Sequence, residues 1–160
     1  MKKLLLICMS VIMALGVVGC SSGSSIDSTS VIIDEKALVE QILENDETPM
    51  LQEPDETLLE DMFYLTPDLY ESQYTMFSMF RTSATNVSVV KPKEGQYEAV
   101  KEALTKRKDL VFETYEQYRM EPAITVATNG QVIEKDGYII LLMVEAVDEA
   151  LEKIEKAFAE

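Results

Sequence analysis

The chain has 160 residues, 47% of them apolar, with 14 basic and 29 acidic side chains and a formal net charge of −15. That length fits one domain, and the charge argues against nucleic acid and against a basic grip on anionic lipid headgroups. There is no histidine and no tryptophan, and the only cysteines are Cys8 and Cys20, so the commonest general base and metal ligand is missing.

The amino terminus carries Lys2 and Lys3, then an apolar stretch from Leu4 to Val18 broken only by Ser10 and Gly16. This is too short and too lopsided for an ordinary membrane span and has the layout of a secretory signal peptide. Val17-Val18-Gly19-Cys20 resembles the lipobox, in which small or branched residues precede an obligatory cysteine. The Cys20 thiol would accept a diacylglyceryl group, and Gly19 leaves room for the peptidase that cuts just before it. Two or three acyl chains at ~0.8 kcal/mol per buried methylene hold far longer than one. The expected division is a lipoprotein signal peptide over 1–19, the lipidated cysteine and a serine-rich tether over 20–31, and a single globular domain over 32–160. About ten tether residues reach roughly 15–20 Å as a coil. Removing 1–19 leaves 12 basic and 29 acidic side chains, a net charge of −17. Cys8 leaves with the signal and Cys20 is lipidated, so no thiol remains for a disulfide, a zinc site or a nucleophile.

Asp34 is placed to cap a helix over Glu35–Asn45, with Leu38, Val39 and Ile42 on its apolar side. An acidic loop follows around Pro49 and Pro54. Asp55 or Thr57 caps a short helix through Met62, and Thr57 and Glu60 have capping-box spacing. Glu71–Met79 alternates as a strand, with Tyr70, Tyr74 and Met76 assigned to one side. Asn86–Lys91 is a valine-rich strand stopped by Pro92. A long helix runs from Gln96 to about Met120, with Ala99, Val100, Ala103, Leu104, Leu110, Val111, Tyr115 and Tyr118 on one face. Ala123–Asn129 reads equally as a strand or as the helix's tail ended by Asn129-Gly130. Gln131–Lys135 is a strand, Asp136-Gly137 a tight hairpin turn, and Tyr138–Glu145 the next strand. Ile139 to Val144 is apolar on both faces and belongs to a central strand covered on both sides. Asp148 caps a last helix through Phe158. The fold class is α+β: an antiparallel sheet of about four strands with helices packed on it, in strand–strand–helix–strand–strand–helix order after one or two short helices. That order suggests two similar halves.

From about Leu58 to Phe158 the chain resembles domain of unknown function 4358, a family of predicted lipoproteins of Gram-positive bacteria. The resemblance rests on the Tyr70–Met79 stretch, the strand Asn86-Val87-Ser88-Val89-Val90-Lys91, and the helix with Lys106-Arg107-Lys108 and Tyr115. The hairpin Val132 to Tyr138 and the apolar strand after it complete the pattern. The resemblance implies the helix-tail reading of Ala123–Asn129. It implies an acidic residue just before the valine strand, where Asn86 stands here, so no catalytic carboxylate is placed there. It carries no established activity.

The acidic pairs Asp34-Glu35, Asp46-Glu47, Asp55-Glu56, Glu60-Asp61 and Asp148-Glu149 suggest a calcium site or a glycosidase pair. Several stand at helix starts, where the dipole and free amides favour them, and capping is the expected role. Lys106-Arg107-Lys108 is the only basic cluster and is expected on the wet face of its helix. With Tyr70 and Tyr74 it forms the candidate interaction surface. No catalytic residue, metal ligand or cofactor is assigned. The expected function is that of an extracytoplasmic lipoprotein, anchored by lipid on Cys20 at the outer face of the cell membrane. It would be a non-catalytic binding or accessory module of the envelope, with an envelope protein or wall component as partner. The alternative is a carboxylate-dependent enzyme acting on polysaccharide or peptidoglycan.

Overall fold

The computed structural model describes residues 31–159. Val17, Val18, Gly19, Cys20 and the serine tether lie outside the described residues.

Asp34 begins the fold as expected: its Oδ1 accepts the Ala37 amide at 2.9 Å and starts α1, Glu35–Leu43. After a loop, Leu51–Gln52 forms β1, a two-residue strand too short for a periodicity to reveal. Asp55, not Thr57, caps α2, Glu56–Phe63, accepting the Leu58 amide at 2.8 Å. Strand β2, Tyr70–Ser78, pairs with β3, Asn86–Pro92. Helix α3, Tyr97–Tyr118, ends on Arg119 in the left-handed conformation. Pro122 lies three residues beyond and cannot extend a helix ladder. It instead opens α4, Ala123–Thr128. The ambiguous segment is therefore helical, but it is a separate helix and not a continuous tail of α3.

Gly130 follows α4 where space is tight: a Cβ there would sit 3.0 Å from Met143 Cγ and 3.1 Å from the Ala127 carbonyl, so a larger residue would have to displace one of them. Strands β4, Gln131–Lys135, and β5, Tyr138–Met143, are joined by Asp136-Gly137. Both turn residues have positive φ, 46° and 85°, the geometry whose twist matches a two-residue hairpin. The last helix is α5, Val147–Ala157. Its cap is Ala146 with no side-chain bond. Asp148 thus sits inside the first turn and is not the cap, and its charge acts on the dipole alone.

The sheet has five antiparallel-paired strands in the order β1-β2-β3-β5-β4. All six residues of β5 are buried. Ile139, Leu141 and Met143 point into one apolar layer with Phe63, Phe77, Val90, Val100 and Leu104. Tyr138, Ile140 and Leu142 point into the other, with Leu38, Val39, Val87, Val89 and Ile154. Helices α2, α3 and α4 therefore cover one face, and α1 and α5 the other. The two halves are not repeats. A two-fold axis relating antiparallel β3 and β5 would put α3 and α5 on the same face, and they lie on opposite faces.

Because β5 is covered on both sides, it is the costliest strand to hollow out. Leu141→Ala should lower the unfolding free energy by about 2–5 kcal/mol. Tyr118→Ala, at a residue 64% exposed, should change it by less than about 0.5 kcal/mol. Urea titrations of the two variants check this, and equal losses would contradict the layering.

Candidate functional site

The chain ends of β3 and β5 meet at one edge of the molecule because the two strands run antiparallel. Asn86 opens β3 opposite Met143, which closes β5. The end of α1, the start of α5 and the α3–α4 corner arrive at this same end. The two helical layers part there, and a cleft of about 460 Å³ opens over the end of the sheet.

Its floor and walls differ in chemistry. The floor is built of hydroxyls. Thr85, 1% exposed, shares a 2.8 Å hydrogen bond with the Thr48 hydroxyl and accepts one from Ser83 Oγ at 3.2 Å. Hydroxyls rotate to donate or accept, so this floor can reorient toward a polar group. One wall comes from the α1–β1 loop and the β5–α5 junction and carries Asp46, Glu47, Glu145 and Glu149. Its two halves are tied by Asn45 Nδ2 donating to Glu149 Oε1 at 3.3 Å. The Lys153 ammonium also bonds Glu149, at 2.8 Å. Lys153 first, then Asn45, holds the Glu149 carboxyl below its ordinary value. Asp46 Oδ1 is occupied by the Thr48 amide at 2.8 Å. Glu47 and Glu145 are exposed and make no ion pair among the described residues. Phe80, Pro122, Ala123 and Val126 add apolar surface to the lining. Among the described residues no lysine or arginine lines the cleft. The arrangement suits recognition by charge together with apolar contact, over a polar floor. Among the described residues no group of three or more His, Cys, Asp or Glu converges as a metal site.

A family model described as a domain of unknown function (DUF4358) matches residues 44–144. The chain belongs to that family. The match begins earlier than the resemblance read from Leu58 to Phe158, takes in β1, and ends at Val144, one residue past β5 and before α5. It therefore contains the cleft's hydroxyl floor and apolar lining but only part of its acidic wall. No curated protein matches the chain. No solved structure matches it.

The residues singled out from the sequence of this family member are dispersed. Tyr70 packs on the α3 side of the sheet and Tyr74 on the α1 side. The register explains it: Tyr70 pairs with Pro92, but Ser72 pairs with Lys91, so β2 carries one extra residue. A bulge of one residue reverses the side-chain alternation beyond it. The basic run is also split, because successive helical residues turn by about 100°. Lys108 pairs with Asp109 at 2.9 Å. Lys106 Nζ sits 3.7 Å over the Tyr64 ring. Arg107 is not on a wet face; it is 7% exposed and lies inside the core layer. Leu110 and Tyr118, assigned to the buried face, are 42% and 64% exposed. None of the five candidates lines the cleft.

Arg107 is held by neutral groups. Its Nε and Nη2 both donate to Asn86 Oδ1, at 3.0 and 2.8 Å, while Asn86 Nδ2 donates to the Ala84 carbonyl at 2.9 Å. Its guanidinium lies 4.7 Å over the Phe63 ring. Burial pulls the guanidinium down to about 10, against opposing contributions from Tyr64 and Tyr115. Tyr115, whose hydroxyl donates to the Ser83 carbonyl at 2.5 Å, ties this core feature to the β2–β3 turn that shapes the cleft. Asn86→Ala strips a buried cation of its main acceptor and should cost about 2–4 kcal/mol. Removing the charge as well should recover stability, so Asn86→Ala/Arg107→Met should unfold at higher urea than Asn86→Ala alone. A double variant that loses the sum of the single losses would show that the two side chains are not coupled.

Proposed function

We propose that this chain is an extracytoplasmic lipoprotein, held by lipid on Cys20 at the outer face of the cell membrane. Its folded part acts as a non-catalytic accessory module of the envelope, binding a protein, peptide or wall component. The anchoring half is supported by Lys2 and Lys3, the short apolar run and Val17-Val18-Gly19-Cys20, a sequence fitted to lipidation and cleavage. The binding half is carried by the cleft at the end of the sheet. Its lining combines hydroxyls, acidic side chains and apolar ones, and surfaces so mixed recognise partners by complementarity. Tyr70, Tyr74 and Lys106 to Lys108 do not supply this surface. The loops and helix ends around Thr85 do.

Two substitutions separate the halves of the proposal. Cys20→Ala should leave thermal unfolding unchanged and release the domain from the membrane fraction, or misplace it there. A substituted protein that stayed fully membrane-bound after normal cleavage would remove the anchoring half. Ala146→Phe, at an exposed position on the cleft's edge, should leave anchoring intact and abolish the principal envelope crosslink of the native chain. An unchanged crosslink pattern would place the binding surface elsewhere.

A further inference from the structure

The apolar surface does not end with the cleft. Phe80, 44% exposed, lines it, and its chain neighbour Met79 and Met50, 46% and 62% exposed, lie just beyond the lining. The Met79 amide donates to the Met50 carbonyl at 3.2 Å, so these two side chains belong to one small ridge. Such clustering differs from scattered surface apolar residues, and methionines adapt their shape to what they meet. Glu47, three residues before Met50 on the same loop, and Glu145, from the β5–α5 junction, lack an ion-pair partner among the described residues. Glu47, Glu145 and Phe80 thus line one cleft with the Thr48–Ser83–Thr85 hydroxyl group, and Met50 and Met79 follow Glu47 and precede Phe80 along the chain.

We infer that the cleft takes an extended peptide segment of a partner protein that carries both lysine or arginine and apolar side chains. The inference rests on the binding reading above and names its ligand class. The basic side chains reach Glu47 and Glu145. The apolar ones cover Phe80, Met79 and Met50, and the segment's peptide groups meet the hydroxyl floor. Charge sets the sign of the partner: among the described residues Asp46, Glu47, Glu145 and Glu149 line this cleft and no lysine or arginine does, with Arg81 the one cation next to it in the chain, so a body at −15 repels acidic segments and acidic wall polymers. Apolar contact supplies what charge alone does not, because exposed ion pairs contribute little and are screened by salt.

The probe is an end-blocked five-residue peptide of alternating lysine and leucine. It is titrated into full-length chain in zwitterionic nanodiscs, with empty discs as the blank. Methyl resonances of Thr48, Thr85, Ala123 and Val126 are followed. The lysine–leucine peptide should shift these methyls saturably. Glu47→Gln/Glu145→Gln should weaken binding roughly tenfold, and Ala146→Phe should abolish it. A glutamate–leucine peptide that shifts the methyls equally overturns the inference, and so does a lysine–serine peptide that binds as tightly. If an uncharged sugar–peptide wall fragment moves the methyls and the lysine–leucine peptide does not, the cleft still binds and only this ligand class is wrong. If no probe moves them and Ala146→Phe also leaves the envelope crosslinks intact, the binding reading falls with it.

Discussion

Strand β5 has no polar face. Tyr138 to Met143 are all buried, and an apolar strand of this kind is stable only where both sheet faces are covered. That single requirement organises the molecule. It places β5 inside the sheet, between β3 and β4, and it demands a helical layer on each side. Helix α3 with α2 and α4 supplies one layer, and α1 with α5 the other. Each fully buried aliphatic side chain in such a strand is worth about 1.5–3 kcal/mol, so no other element holds so much of the core. The cleft is a consequence of the same arrangement. Two layers that grip a sheet from opposite faces must separate where the strands stop, and residues of four chain segments fill that gap only in part.

Among the described residues the core contains one buried charge. Arg107 is buried without a carboxylate partner and meets Asn86 and the Phe63 ring instead. A buried guanidinium is costly in such a setting, and neutral acceptors offset only part of that cost. What the arrangement supplies is position. Asn86 is fixed between Arg107 and the Ala84 carbonyl, and Tyr115 reaches the Ser83 carbonyl from the same helix. The β2–β3 turn is thereby tied to α3 by polar contacts at residues 83, 84 and 86, on either side of Thr85 at the cleft floor.

Much of the frame is legible in the sequence because it depends on local chemistry. Asp34 and Asp55 announce their helices through side-chain geometry, and Asp136-Gly137 announces a hairpin through positive φ. The run Ile139–Val144 announces its own burial. What is not legible depends on relations between distant segments. Strand β1 exists only because β2 offers Phe77 and Ser78 to pair with. The bulge between Tyr70 and Ser72 leaves no compositional mark, yet it moves Tyr70 to the opposite face from Tyr74. Arg107 reads as solvated because arginine normally is, and only the place of Asn86 across the layer shows otherwise. The cleft is the extreme case. Asn45 to Pro49, Thr82 to Thr85 and Glu145 to Glu149 look like three unremarked loops until the sheet brings their ends together. The acidic pairs were a partial signal. Asp46-Glu47 and Glu149 do line the cleft, but nothing in their spacing distinguishes them from the true cap at Asp55.

The cleft also has a direction. The described chain enters the fold beside the beginning of β5, where the Ile33 amide reaches the Tyr138 hydroxyl at 3.4 Å. The cleft lies past the other end of that strand, at Val144 and Ala146. Six strand residues at about 3.3 Å each separate the two ends by roughly 20 Å. Helix α1 runs the same way, from Glu35 near the entry to Ile42 and Asn45 at the cleft. Residue 31 and the cleft therefore stand at opposite ends of the central strand, so whatever precedes the fold joins it away from the cleft mouth.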